Sequence, residues 1–515
     1  MNSKVLKNNR TGKSLFNLIF GIISKIVSLI FPFVIKTVII YKIGAEYIGL
    51  NTLFTSILSV LSLTELGIGS AMIFYMYKPL EDKDYTQVGK ILNFYKKIYF
   101  FIGLIVLIIG LCLMPFLKFL IKGEIPSTIN LYILYSVFLI DTLISYFLFA
   151  EKKAIIEADQ RIGVDNIIIT ICNTIMYVVQ IISLVCIKNY YAYIIFVPIN
   201  TTIISIVRAI YTKKKYAYIK EEGDLTNEEK KFIFDKVKAL IGHKIGTVIT
   251  LSVDSIVISG FLGLSALTIY SNYYFILNSV LGLVNIIYFS ISSSIGNSLI
   301  ANSKEHNLLL FNNLNYLNSF VIGICAVLLT SLFQPFMKLW VGEELMFEDH
   351  MVFLFTLYFV TMVMRKITLT FKDAAGLWKE DWYKPYIGIA FNLILNIVLV
   401  NVIGIEGVLI STIVMMLFIY FPIEGFVVFK NIFHTTSKKY FIKQIYVFTS
   451  IMLTCFLSFY VCSLIIVQDV AQLFLNAFLA ILIFTIVYLI STFWFSETRT
   501  ILNKLKTFRR KDEKN

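Results

Sequence analysis

The sequence predicts an all-α polytopic membrane protein of 14 transmembrane helices, arranged as two repeats of six with two extra helices at the end. Three observations predict it. Of the 515 residues, 58% are hydrophobic and only 15% charged, with a mean hydropathy of +0.80. Apolar segments of the ~20 residues that a ~30 Å hydrocarbon core demands recur along the whole chain. The stretches between them alternate between Lys/Arg-rich and nearly free of both, the positive-inside pattern.

The segments run over residues 15–41, 47–76, 91–117, 129–150, 163–187, 190–211, 239–261, 267–297, 310–336, 350–371, 385–403, 406–429, 441–467 and 470–495. Open sheet edges are not tolerated in lipid, so each segment must be helical. With the N-terminus inside, the external loops hold Lys42, Lys118, Lys122, Lys188 and Lys338. Lys25, Lys36 and Lys244 lie within helices, and the other 38 of the 46 Lys and Arg are cytoplasmic. An even number of helices then puts both termini in the cytoplasm. Lys4, Lys7, Arg10 and Lys13 precede the first apolar run and no small-residue cleavage site follows. This predicts a retained first helix and not a signal peptide.

The net charge of +14 is accounted for by this topology. Tracts such as Lys213-Lys214-Lys215 and Arg509-Arg510-Lys511 face anionic headgroups, and no nucleic-acid partner is expected. The six cysteines and four histidines show no metal-ligand spacing, so a metal enzyme is excluded. Gly12-Lys13-Ser14 ends like a phosphate loop, but Lys7 stands where the first glycine is required. Gly67 and Gly69 lie in a membrane segment and not after a strand. No nucleotide cofactor is expected, and short external loops leave little folded mass for an extracellular active site.

The longest polar interruption, residues 213–238, is the predicted cytoplasmic linker. It divides an N-terminal lobe (1–212, helices one to six) from a C-terminal lobe (239–430, helices seven to twelve). Residues 431–497 form helices thirteen and fourteen, and 498–515 a basic cytoplasmic tail. A shift of 219 residues brings the halves into register. Ser24-Lys25-Ile26-Val27-Ser28 falls on His243-Lys244-Ile245-Gly246-Thr247, Gly44 on Gly263, Lys153 on Lys372 and Asn173 on Asn392. Parallel repeats related by an axis along the membrane normal preserve orientation only with an even number of helices.

Buried polar residues mark the candidate site. Lys25, Ser28, Pro32 and Lys36 recur at helical spacing on one face of the first helix, and Lys244, Thr247, Leu251 and Ser255 repeat that spacing on the seventh. A charge at bilayer depth costs about 3 kcal/mol on insertion scales, so it faces a wet cavity or a partner. Such stripes suit an anionic ligand bearing hydroxyls; the competing reading is that Lys25 and Lys244 snorkel to the inner surface. Arg365, with Lys366, ends the tenth helix as a cavity-mouth cation or a topology anchor. Glu65 and Asp141 are intramembrane acids, each able to pair with a lysine or to carry a proton for coupling.

Several stretches resemble the Wzx-type polysaccharide flippases of the multidrug/oligosaccharidyl-lipid/polysaccharide superfamily. They are Gly44-Ala45-Glu46-Tyr47-Ile48-Gly49-Leu50, Leu63-Thr64-Glu65-Leu66-Gly67-Ile68-Gly69-Ser70-Ala71, Ala375-Gly376-Leu377-Trp378-Lys379, Asn392-Leu393-Ile394-Leu395-Asn396 and Gly404-Ile405-Glu406-Gly407. The resemblance implies two six-helix lobes around a central cavity, rocking between inward- and outward-open states in a bacterial cell membrane. The implied cargo is an undecaprenyl-pyrophosphate-linked oligosaccharide, turned from inner to outer leaflet for surface or capsular polysaccharide. The implied partners are membrane lipid and the glycosyltransferases and polymerase of that synthesis.

Asp254, Asn392, Asn396, Val408 and Thr412 resemble the sodium site of the related lipid II flippases. A carboxylate, amide carbonyls, a hydroxyl and a backbone carbonyl are the oxygens that a hard cation takes. Asn396 departs from the pattern, which has an acid there. Sodium or a proton is the expected coupling ion, against the reading that Asn and Thr glue helices together. A cation-coupled multidrug antiporter of the same superfamily is the alternative, although it usually stops at twelve helices. A membrane polymerase or glycosyltransferase is a third reading, for which the chain offers no catalytic domain or long outer loop.

Overall fold

Apolar runs too long to be strands, with few prolines to interrupt them, leave the backbone only helices in which to satisfy its own hydrogen bonds. The computed structural model describes residues 10–62, 67–465 and 467–499, and for residues 10–15, 18, 236, 238–241, 243–245, 247, 250 and 251 the backbone alone. Every regular element among the described residues is helical. Among them, 11 helices are long and apolar enough to cross a membrane, or 12 if the pair Leu131–Phe147 and Ala150–Ala158, bent by 53°, forms one span. The chain is a multi-pass membrane protein. The second predicted segment carries the helices Glu46–Leu61 and Ile68–Glu81, and the seventh lies within the helix Asn227–Leu262.

The chain forms two compact units, Met1–Thr268 and Ile269–Asn515. In the first, α1 (Arg10–Lys42) lies along α7 (Ile162–Ile187), where Phe31 and Tyr177 stack at 5.3 Å. Helices α2 (Glu46–Leu61), α3 (Ile68–Glu81), α4 (Tyr85–Leu113), α5 (Leu131–Phe147) and α6 (Ala150–Ala158) come between them in the chain. After α7 come α8 (Tyr190–Ile194), α9 (Phe196–Lys215) and α10 (Asn227–Leu262), which packs on α2 and α3. Leu50, Leu53, Phe54, Leu134 and Tyr135 are among the fully buried core side chains.

The polar segment between α9 and α10 is strapped to this unit. Asn93 Nδ2 donates to the Gly223 carbonyl at 2.7 Å, and Lys97 Nζ lies 2.6 Å from Asp224 Oδ1. Lys152 pairs with Glu221, and Gln87 Nε2 donates to Glu229 Oε1 at 2.6 Å. Thr226 and Glu229 then cap each other reciprocally and start α10. The strap passes so close to α4 that a Cβ on Gly89 would stand 1.9 Å from the Lys220 carbonyl oxygen.

In the second unit, α11 (Leu264–Ala301, which begins in the first) is followed by α12 (Lys304–Val341), α13 (Asp349–Met364), α14 (Lys366–Ala374) and α15 (Lys384–Ile403). Helices α16 (Ile405–Met415) and α17 (Phe421–Val428) join through a π-helical turn, Met416–Tyr420, and a second such turn, Phe429–Phe433, closes α17. The last two helices, α18 (Lys438–Ser463) and α19 (Val470–Thr492), pack on α12. There Tyr488 Oη lies 2.6 Å from Ser319 Oγ, and the Phe484 ring meets Phe320 at 5.6 Å.

The two halves share local features at the 219-residue offset. Gly44 and Gly263 both end a helix at positive φ, 139° and 94°. Lys153 and Lys372 fall on the short helices α6 and α14, each following a break in the chain's fourth or tenth predicted segment. Asn173 and Asn392 fall on α7 and α15.

Candidate functional site

The first unit contains a cavity of about 600 Å³ between α3, α4, α6, α7 and α9. Its charged wall is Arg208, Lys153 and Glu157; Asn173, Thr201, Ser205, Ser145 and Ser70 add polar groups, and Tyr95 and Tyr99 an aromatic face. The tyrosines, one helical turn apart on α4, stack at 4.2 Å. The break between α5 and α6 turns Lys153 into the wall, where it keeps half its surface exposed and lies 3.6 Å from Glu157.

Arg208 is held by Asp165 on α7. Its Nε donates to Asp165 Oδ1 at 2.6 Å and its Nη2 to Oδ2 at 2.9 Å. A guanidinium has five N–H donors in a fixed fork, so this bidentate grip fixes its plane and leaves donors for the cavity. Asn200 Nδ2 donates to Asn173 Oδ1 at 2.7 Å, which orients the Asn173 amide on the same wall. A fixed guanidinium, a solvated ammonium, amide and hydroxyl groups and a tyrosine face suit a ligand carrying phosphate and sugar hydroxyls.

The residues expected to form a site fall on several elements. Lys25, Ser28 and Lys36 are half-buried on α1 and are not in the wall of this cavity. Ser255 and Asp254 are buried on α10. Lys244 and Thr247 lie outside the residues with described side chains, and Glu65 outside the described residues. Asp141 on α5 accepts a hydrogen bond from Thr201 Oγ1 at 2.6 Å.

Arg365 is drawn into a buried ionic network in the second unit. Its Nε donates to Glu424 Oε2 at 2.9 Å and its guanidinium lies over the Tyr420 ring, 4.9 Å from the centroid. Lys384 bridges Glu424 at 2.6 Å and Asp381 at 2.8 Å, and Lys372 holds Asp381 at 2.9 Å. These contacts join α13, α14, α15 and α17 and the loop after α14.

Asn392, Asn396, Ser411 and Thr412 are brought together and fully buried. Asn392 Nδ2 donates to Thr412 Oγ1 at 2.9 Å, Asn396 Nδ2 to Asn392 Oδ1 at 3.2 Å, and Ser411 Oγ to Asn396 Oδ1 at 2.6 Å. The Val408 carbonyl accepts from Ser411 at 2.8 Å. The Asn392 amide oxygen thus receives the Asn396 amide, while the one Ser411 proton serves either the Asn396 amide oxygen or the Val408 carbonyl. These bonds tie α15 to α16. Among the described residues, no group of three or more His, Cys, Asp or Glu could hold a metal.

No protein-family model matches the chain, and no curated protein matches its sequence. Solved structures do match its shape. The lipid II flippase MurJ in an inward closed conformation superposes with a TM-score of 0.64 at 16% identity, over 93% of this chain and 99% of that one. An inward-facing multidrug resistance MATE family transporter of the MOP superfamily gives a TM-score of 0.61 at 11% identity, over 77% and 93%. A MOP superfamily transporter from Pyrococcus furiosus, described as having a binding pocket of reverse polarity, gives 0.56 at 11% identity, over 84% and 99%. The chain has the fold of the MOP-superfamily transporters.

The site residues that sequence reasoning missed are Arg208 and its holder Asp165. Arg208 lies near the end of the sixth apolar segment beside Lys213–Lys215 and reads there as one more topology charge. Asp165 near the start of the fifth segment has Arg161 four residues before it, so the sequence offered it a nearer base than Arg208.

Proposed function

We propose that the protein is a flippase. It carries a polyprenyl-pyrophosphate-linked oligosaccharide from the inner to the outer leaflet of a bacterial cell membrane by alternating access, for surface or capsular polysaccharide. The observation that carries this reading is the cavity of the first unit, where Arg208 and Lys153 stand beside the Tyr95–Tyr99 pair. Two cations attract a pyrophosphate, and tyrosine faces and amides suit sugar rings, while the polyprenyl chain remains in lipid. The match to the lipid II flippase supports it, because it takes in more of the chain than the MATE matches do, by roughly the length of two helices. Glycosyltransferases that build the lipid-linked unit and a polymerase that consumes it are the partners that this chemistry requires.

A cation-coupled multidrug antiporter is the second reading, favoured by the likeness to MATE transporters. It calls for a predominantly acidic and aromatic cavity, and Arg208 and Lys153 weigh against it. The test is export of polymer in cells carrying Arg208→Gln with Lys153→Gln. The expected result is lipid-linked repeat units accumulating on the inner leaflet, with export normalised to the amount of folded protein in the membrane and with Lys153→Gln alone, which leaves the Asp165 pair intact, shifting it in the same direction. Normal export with both cations removed overturns the reading.

A further inference from the structure

The second unit has a cavity of its own, about 500 Å³, between the first half of α12, the segments that follow α17 and α19, and the first turns of α18. Its rim is polar, with Thr435, Thr436 and Lys439 exposed. Its buried wall is mainly aromatic and aliphatic, with Tyr316, Phe429, Tyr440 and Val447. The buried amides there are spent on the protein: Gln444 Nε2 donates to Asn315 Oδ1 at 3.4 Å, and Asn315 Nδ2 to the Phe311 carbonyl at 3.0 Å. Three charged side chains belong to the wall. Lys443 is matched by Glu497, 2.6 Å away, and its ammonium lies 4.5 Å from the centroid of the Phe495 ring. Lys439, one turn before it, makes no ion pair among the described residues, so the wall keeps one cation in excess. The N-cap of α18, Ser437, puts no side-chain hydrogen bond on the first turn, and the helix adds its own partial positive charge at the same rim.

We infer that this cavity is a binding site for an acidic glycerophospholipid, with the headgroup phosphate on Lys439 and Thr435 and the glycerol and upper acyl chain over the apolar wall. Basic pockets between transmembrane helices take anionic headgroups in this way. The surroundings favour a lipid over a soluble phosphate. Ile442, Ile445 and Tyr446 are exposed on α18 beside the rim, and Phe493 and Trp494 are exposed just past the end of α19. Exposed aromatic side chains at the end of a transmembrane helix mark the headgroup level, so the cavity opens where headgroups lie. A free phosphate would gain from Lys439 but leave Tyr316, Phe429 and Val447 uncovered, whereas a lipid covers them and gains from the burial. The inference concerns the second unit and does not depend on what the first-unit cavity carries.

The experiment is native mass spectrometry of the purified full chain in detergent, titrated with phosphatidylglycerol or phosphatidylcholine. Phosphatidylglycerol is expected to bind first and more tightly. Lys439→Gln should weaken that first binding step by about fivefold, the worth of one lysine beside an anionic lipid, and leave phosphatidylcholine unmoved. Lys439→Arg keeps the charge and should keep the preference, and Thr435→Val should weaken it in the same direction. Both positions are exposed, so neither change opens the core. The control replaces Lys213, Lys214 and Lys215 together by Gln, and the first binding step is expected to stay as it was. An equal loss in that control and in Lys439→Gln would mean general surface charge and overturns the inference. Inorganic phosphate at millimolar concentration that binds the lipid-free chain and displaces phosphatidylglycerol overturns it too, in favour of a free phosphate, as does the absence of any preference between the two lipids.

Discussion

Asp165 and Arg208 grip each other through two parallel hydrogen bonds in the first half, and Lys384 occupies the position in the second half that corresponds to Asp165. Its partner Glu424 corresponds to Ser205, one turn from Arg208. The same pair of helices is thus tied at the same level in both halves, with acid and base exchanged. At the 219-residue offset the tie is kept with its polarity reversed. The first half places the basic member, Arg208, in a cavity wall, and the second places its acid between two bases.

Breaking either tie from one side leaves a buried charge behind. Arg208→Ala is expected to destabilise the first unit by about 3–5 kcal/mol, because Asp165 stays buried without its partner. Adding Asp165→Ala should recover part of that loss. Thermal unfolding of the single and double variants in detergent checks it, and strict additivity would mean that the pair is not coupled.

Glu424 serves two bases, so its removal is predicted to be worse than the loss of either one. Glu424→Gln leaves Arg365 and Lys384 both without a carboxylate at that point, and a loss at or above ~3–5 kcal/mol is expected. Arg365→Gln should cost less, since Lys384 still neutralises Glu424. Equal loss of thermal stability in the two variants would show that the acid does not organise the network.

The strap between α9 and α10 gives a steric and a pH prediction. Gly89→Ala puts a methyl group against the Lys220 carbonyl, and the segment must lift away. Overpacking of this kind costs about 1–3 kcal/mol, so cleavage between residues 216 and 226 by an added protease should quicken. The Lys97 ammonium, hydrogen-bonded to Asp224, holds that carboxyl below its ordinary value, and the charge of Lys97 adds to the effect. A carboxyl with a depressed folded pKa stabilises above its unfolded pKa of about 3.9 and loses that contribution as pH falls through the folded value. Strap cleavage is therefore expected to rise on acidification below about pH 4, and Asp224→Asn should remove that part of the pH dependence.

A helical fold with many membrane spans was legible because apolar length is a strong local signal, and the turn glycines Gly44 and Gly263 do both take a positive φ. The charged wall of the first unit's cavity was less legible. Lys25 and Lys36 stand out in sequence because they are isolated in apolar surroundings, whereas Arg208 and Lys153, which line that cavity, hide among topology charges. Arg365 was visible as a cation, but nothing local indicated that Glu424, 59 residues later, would claim it. Pairing across helices is a tertiary fact, and the period of one helix carries no record of it.

The amide cluster on α15 and α16 separates an ion site from a clasp. Asn392→Leu removes bonds to Thr412, Ser411 and Asn396. Interhelical bonds in membrane proteins average about 0.6 kcal/mol each, so a loss of roughly 1–2 kcal/mol is expected. A clasp makes that loss independent of the salt, whereas a ligand set would show it only where sodium is present to be bound. Unfolding of the wild type and of Asn392→Leu should therefore be compared in sodium and in choline chloride. The same shift between the two proteins in both salts is expected. A shift confined to sodium would return Asn392 and Asn396 to the role of cation ligands.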